Sequence, residues 1–490
     1  MSKKYKILLV VAAIIYVIYH LATLIYSPLP WFDEISFTSI TNSYLNHRTF
    51  YEEARIIVLP DQKLDYGPVY FMLQAGLMKL LGFTMFHFRL TSLVFGFIDL
   101  FLIYKICRHL KFNTGATIVT LLLVALEPNF NQFLHSGRMD FVTLFFFFLS
   151  YLAFVKINED VNPRSIVSAF SVGILLALAI LTTPRIIFAF SFYVCYFIYE
   201  FTAKSKDWKA LFLKYLLVLT GFAVVYGIWI YSAFGSINNF IYYYTHSAVI
   251  KEHTGIDAGG KAIKYNLFIY LFTLLAFGIV VAKKWAKANI NLVLFTVPLV
   301  LSFVVIVTGA LWGRYFALVA PFTYLLIGGV VVGMDTNRVL KYVAYTIPCL
   351  FAMIFVFKGA YIAGTLQQHD PHHNEAVISR YLSKDAVVAG DFRYYYIARN
   401  NNCNFLSLEE NGPWEDKMKY FFDHKVNYFI ISKDNPNLDS YDKVLLNNQY
   451  QLVTKVDADN NSGFFHKVIQ KLPYKISENY SCYIYKYIGG

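Results

Sequence analysis

The stretch KKYKILLVVAAIIYVIYHLATLIYSPLPWFDE, residues 3–34, decides the fold class. Lys3, Lys4 and Lys6 precede an unbroken apolar run from Ile7 to Tyr26. A helix of that length rises about 30 Å, the thickness of one hydrocarbon core. The run is long for the apolar part of a signal peptide, and no small-x-small cleavage site precedes Ser27-Pro28-Leu29-Pro30. The expectation is an uncleaved first span whose basic N-terminus stays in the cytoplasm.

The rest of the chain repeats this pattern. Of its 490 residues 57% are hydrophobic and only 15% charged, with a mean hydropathy of +0.47. Soluble proteins carry about 25% charged residues. A soluble enzyme, a disordered tail and a nucleic-acid binder are therefore excluded, despite a formal net charge of +12. Five cysteines without a close-spaced pair exclude a disulfide scaffold and the usual zinc ribbons.

After the first span, apolar runs recur at 88–107, 115–134, 140–156, 165–182, 185–201, 215–234, 265–282, 290–308, 314–333 and 339–360. The shorter run from Gly67 to Gly82 contains Gln74 and Lys79. Read as a helix lying along the outer surface, it leaves the Lys-rich short turns inside, those holding Lys105, Arg108 and Lys111 or Lys204, Lys206, Lys209 and Lys214. The expected architecture is a polytopic α-helical membrane protein of about eleven spans plus this juxtamembrane helix. The membrane part covers residues 1–363, with a first outer loop at 27–87.

Residues 364–490 are of another kind. They hold 14 Lys and Arg against 15 Asp and Glu, so the basic balance belongs to the membrane part and largely reports topology. A helix opens at Asp370 as N-cap with Pro371 behind it and runs to Tyr381. Runs at Ala386–Ala389, Asn404–Leu408, Tyr428–Ser432, Tyr450–Val456 and Cys482–Ile488 read as strands, with a helical pattern from Trp414 to His424. Strands alternating with helices indicate a small α/β domain, placed outside the membrane by the span count.

Four groups converge on that outer side: Asp33-Glu34, Asp65-Tyr66-Gly67-Pro68, Arg138-Met139-Asp140 and Gly313-Arg314-Tyr315. The plain reading of Asp33-Glu34 is an acidic solvated loop. Two adjacent carboxylates at headgroup depth, with three further motifs on the same side of the membrane, weigh against that plain reading.

The order of these groups resembles the GT-C membrane glycosyltransferases, in the branch of protein O-mannosyltransferases and bacterial aminoarabinose transferases. That branch has an acidic motif after the first span and a Pro motif heading a juxtamembrane helix, here Tyr66-Gly67-Pro68. Arg-Leu-x-Ser starts its next span, here Arg89-Leu90-Thr91-Ser92. Arg-x-Asp and a late Arg-Tyr follow, here Arg138-Met139-Asp140 and Arg314-Tyr315 with Pro321. The Pro motif departs from many relatives, which have His or Lys where this chain has Tyr66.

The resemblance implies a GT-C fold and transfer of a sugar from a polyprenyl-phosphate donor to a lipid, glycan or protein acceptor, with inversion. It implies Asp33 as base, with Asp140 and Glu34 in the catalytic group. Tyr66, Arg138, Arg185, Arg314 and Tyr315 are then the substrate-binding candidates. No metal ligands or required cofactor are implied, a divalent cation being left open. The implied setting is a bacterial inner or plasma membrane with the site on its extracytoplasmic face, and no nucleic-acid partner. Physical reasoning agrees: such a reaction needs a carboxylate base at headgroup depth and cations for the departing phosphate. The alternatives are a transporter or flippase of lipid-linked sugars and a non-catalytic assembly protein of the same fold. Asp99 stands mid-span, and Glu127 near an outer end. Cys403 and Cys482 lie where an oxidising compartment would allow pairing. The His369-Asp370-Pro371-His372-His373 run reads as a capped helix start with imidazoles rather than a metal site.

Overall fold

The computed structural model describes residues 3–50, 52–54, 66–159, 164–203, 208–251, 290–307, 316–332, 338–408, 414–457 and 479–489, with four isolated positions between 271 and 278. Its first part is a helical bundle. The helices are α1 (Lys3–Thr23), α2 (Phe32–His47), α3 (Val69–Leu81), α4 (Met85–His109) and α5 (Thr114–Leu126). They continue with α6 (Pro128–Leu134), α7 (Asp140–Glu159), α8 (Arg164–Ile180), α9 (Ile187–Ala203) and α10 (Trp208–Phe234). Further helices lie at Ile237–Lys251, Thr296–Val307, Phe316–Ile327 and Arg338–Gly364.

Among the described residues, five helices are long and apolar enough to cross a membrane: α4, α7, α9, α10 and the helix ending at Gly364. A sixth span results if α5 and α6, bent by 58°, are taken as one. Shorter apolar helices add to these at Val10–Thr23, Val69–Leu81, Val167–Ile180 and Phe316–Val330. The chain is thus a membrane protein built of apolar helices. Large apolar side chains stand exposed along α1 (Ile7, Val10, Ile14, Ile18) and α10 (Phe212, Leu219, Ile228), as lipid-facing surfaces require. Most of the expected span at 265–282 lies outside the described residues.

Two elements differ from the sequence expectation. The run 115–134 is broken at Glu127-Pro128, because Pro128 removes a donor and ends α5. Glu127 then caps α6, accepting the Phe130 N–H at 2.5 Å. Carbonyls freed at the break are satisfied from elsewhere: Tyr16 Oη donates to the Ala125 carbonyl at 2.6 Å, and Asn131 donates to the same group at 2.8 Å. The second difference is α2, a helix within the expected first loop. Its sequence FDEISFTSITNSYLNH is rich in Ser, Thr and Asn, which favour caps and turns in isolation. Burial overrides that preference, since every residue from Asp33 to Ser43 is enclosed. Thr38 and Thr41 spend their hydroxyls on the Glu34 and Phe37 carbonyls at 2.7 and 2.8 Å.

The C-terminal part forms a five-stranded sheet in the order β2-β1-β3-β5-β4. Its strands are β1 (Val387–Gly390), β2 (Asn404–Ser407), β3 (Tyr428–Ser432), β4 (Tyr450–Val456) and β5 (Cys482–Tyr487), close to the expected runs. β1 pairs parallel with β2 and β3, while β5 runs antiparallel between β3 and β4. The helix expected at Asp370 opens there, its carboxylate accepting the His372 N–H at 2.9 Å. Cys403 and Cys482 are buried free thiols.

Alternation along the strands splits their side chains between two layers. Ala389, Phe429, Ile431 and Tyr485 pack with Met418, Phe421, Tyr441 and Leu445. Val388, Phe405, Tyr428, Ile430 and Ile484 pack with Tyr394, Tyr395 and Ile397, and this second layer also takes in Leu29, Ile35, Ala54 and Met85 from the bundle. One core is therefore shared between the sheet and the segment that carries Asp33.

Candidate functional site

The site is built on the first turn of α2. Successive helix residues point about 100° apart, so Asp33 and Glu34 meet different neighbours. Glu34 faces α4. Arg89 Nε and Nη2 each donate to one Glu34 oxygen at 2.8 Å, and Nη1 donates to the Leu24 carbonyl at 2.9 Å. Both side chains have zero exposure. This planar two-bond match is specific to arginine and ties α4 both to α2 and to the end of the first span.

Asp33 faces the turn before α7. Arg138 Nη1 donates to Asp33 Oδ2, and Arg138 Nε donates to Asp140 Oδ2 at 2.5 Å. One guanidinium is thus shared by two carboxylates. It lies over the rings of Phe133 and Trp31, 4.7 and 5.5 Å from their centroids, which adds cation–π attraction. Among these five charged side chains Asp33 reaches furthest toward the surface, 6% exposed against 2% or less for the others.

The remaining motif residues are fasteners. Ser92 Oγ donates to the Arg138 carbonyl at 2.8 Å, and Thr91 Oγ1 donates to Gln74 of α3 at 2.9 Å. Gln74 in turn bonds Tyr70 Oη at 2.7 Å, and Tyr70 Oη donates to the Gly137 carbonyl. Gly137 holds φ +53°, and a Cβ there would lie 2.3 Å from the Phe88 ring. The turn that presents Arg138 therefore requires glycine at this position.

Tyr66 sits one helical turn further along. Its ring meets Phe37, four residues after Asp33 on α2, edge-on at 5.5 Å. Arg185, from the turn between α8 and α9, donates to Tyr66 Oη at 2.6 Å and lies 4.9 Å above its ring. Gly67 makes this approach possible, since a Cβ there would stand 2.0 Å from the Leu181 carbonyl oxygen. Gly67→Ala is expected to push the 66–68 segment off Leu181 at a cost of about 1–3 kcal/mol. A lowered thermal midpoint of the purified protein checks it.

The structure thus brings together Asp33, Arg138 and Asp140 directly, while Arg185 and Tyr66 pair with each other and meet α2 at Phe37, one turn beyond Asp33. Glu34 belongs to the neighbouring Arg89 pair. Arg314 and Tyr315 lie outside the described residues. Asp99 is fully buried, with no hydrogen-bond partner on either oxygen among the described residues, and stands about 15 Å along α4 from Arg89. Glu127 serves as a helix cap. Sequence reading did not anticipate Phe133 or Phe37; aromatic neighbours brought in from another turn leave no mark beside the motifs. Among the described residues no group of three or more His, Cys, Asp and Glu could hold a metal ion.

Comparison with known proteins follows the same geometry. Residues 65–231 match the family described as dolichyl-phosphate-mannose-protein mannosyltransferase, a stretch that takes in Tyr66, Arg89, Arg138, Asp140 and Arg185. Among solved structures, ArnT from Cupriavidus metallidurans in the apo state aligns over 98% of this chain and 97% of its own, at 13% identity and a TM-score of 0.61. The same protein bound to undecaprenyl phosphate aligns over 99% and 98%, at 13% identity and 0.61. The Saccharomyces cerevisiae Pmt1-Pmt2 complex aligns over 48% of this chain and 34% of its own, at 18% identity and 0.39. No curated protein sequence matches the chain. The near-complete overlay shows that this chain shares the fold of ArnT.

Proposed function

We propose that the protein transfers a sugar from a polyprenyl-phosphate carrier to an acceptor hydroxyl, with Asp33 as the base. The observation that carries this reading is the sharing of one guanidinium between Asp33 and Asp140. The shared guanidinium fixes the Asp33 carboxylate in one place at the start of α2, the positioning that a general base requires. The family match, and the undecaprenyl phosphate bound by a protein of the same fold, support a lipid-linked donor.

In the proposed step Asp33 takes the acceptor's hydroxyl proton while the acceptor oxygen attacks the anomeric carbon. The bond from that carbon to the phosphate oxygen breaks, and its electron pair leaves with the polyprenyl phosphate. Attack from the opposite face inverts the anomeric centre. Asp140 keeps Arg138 in place and, through it, Asp33. The leaving phosphate gains negative charge and needs a cation. Arg138 is already engaged by two carboxylates, so Arg185 is assigned to the phosphate, with Tyr66 holding its guanidinium. Arg314 and Tyr315 remain candidates for the same role.

The positive-inside reading sets this site on the extracytoplasmic face, with the α/β part from residue 364 above it. The acceptor is a lipid, glycan or protein hydroxyl. Arg185→Ala is expected to lower kcat/KM for a labelled polyprenyl-phosphate sugar about 30-fold, the worth of a charge-assisted bond. An unchanged kcat/KM removes Arg185 from the site.

A further inference from the structure

The C-terminal sheet touches the acidic helix at a point that the chemistry above does not use. After β1 the chain turns through Asp391–Tyr394 and enters a short helix, Tyr395–Asn400. This helix lies against α2. Tyr396 is 5% exposed, and its hydroxyl is 2.8 Å from Thr38 Oγ1. The Thr38 proton is committed to the Glu34 carbonyl at 2.7 Å, which leaves Tyr396 as donor in the bond between them. The Tyr396 hydroxyl also faces the Glu34 carboxylate within hydrogen-bonding reach, with Arg89 beside it, so Tyr396 engages residues 34 and 38 of α2 together.

A second tie runs beside the first. Ser39 Oγ accepts the Ala54 N–H at 2.9 Å, and the Ala54 carbonyl accepts the Ser407 N–H at the end of β2, also at 2.9 Å. Arg399 reaches Glu53 at 3.8 Å. Phe392 packs edge-on against Phe32 at 5.2 Å, directly before Asp33.

Residues 34 and 38 lie one turn apart on a single helix face. Arg89 grips that face from the bundle and Tyr396 from the sheet. Asp33 stands about 100° around the helix, so the angle at which the face is clamped sets the direction in which its carboxylate points.

We infer that Tyr396 is a positioning residue: through Thr38 it locks the rotation of α2 and so aims Asp33. The C-terminal part is on this account a working piece of the reaction centre as well as a cover for it. The inference rests on the role proposed for Asp33.

Tyr396→Phe keeps the ring and deletes the bond. In the full-length protein in lipid nanodiscs, kcat is expected to fall about fivefold with the donor KM within about twofold of the parent. Amide exchange over residues 33–40 is expected to quicken, whereas Tyr487→Phe, an exposed tyrosine on β5, leaves it unchanged. Thr38→Val removes the same bond from the other side, and the double variant should be no slower than either single one. Parent-like kcat and exchange in Y396F, or additive losses in the double variant, overturn the inference. Exchange needs no turnover, so it reads the clamp even if Asp33→Asn retains full activity and the proposed base is wrong.

Discussion

Asp33→Asn is expected to lower the single-turnover rate of sugar transfer by about 10³-fold, within the range for loss of a positioned general base. The substitution keeps the shape of the side chain and leaves Arg138 its bond to Asp140. Fold and donor binding should therefore stay near those of the parent. The loss should appear in the chemical step, with the donor KM little changed, because only the proton-accepting capacity is gone. A rate within about threefold of the parent means that another group takes the proton. Asp140→Asn, which loosens Arg138 without removing the proposed base, should cost less than Asp33→Asn.

Arg89→Ala carries the second large effect, and it acts on stability. Glu34 would remain at zero exposure with both oxygens stripped of their guanidinium donors. Removing one partner of a buried ion pair costs about 3–5 kcal/mol, because the surviving charge has no counter-ion. The Leu24 carbonyl loses its donor as well, freeing the end of α1 from α4. The purified variant should unfold at a markedly lower temperature or fail to give a monodisperse peak. Replacing both members, Glu34→Leu with Arg89→Met, should recover most of that stability, since apolar residues of similar volume fill such sites at little cost. Arg89→Ala within about 1 kcal/mol of the parent would show that the pair is not what holds α2 to α4.

These two adjacent carboxylates illustrate what sequence makes legible. The motifs announced that charged groups from separate loops would meet, and Asp33, Arg138 and Asp140 do. Which carboxylate takes which arginine depends on α2 being helical. Its Ser- and Thr-rich sequence concealed that, because burial rather than propensity stabilises it. The strands of the C-terminal sheet were readable as short apolar runs, as at Tyr428–Ser432 and Tyr450–Val456. Their docking on α2 was not, since Tyr396 and Thr38 lie far apart in sequence and carry no motif. The run 115–134 read as one span despite Pro128, and both its break there and the repair by Tyr16 and Asn131 came from the fold.

Covalent transfer from a lipid phosphate at one membrane face separates the proposed transferase from a transporter of the same substrate. Proteoliposomes of the purified chain, loaded with a labelled polyprenyl-phosphate sugar and offered candidate acceptors, test it most directly. Labelled product with inverted anomeric configuration is expected from the parent and nearly none from Asp33→Asn. Label crossing the bilayer with no covalent product, at the same rate in both proteins, would contradict the transfer and point to a transporter.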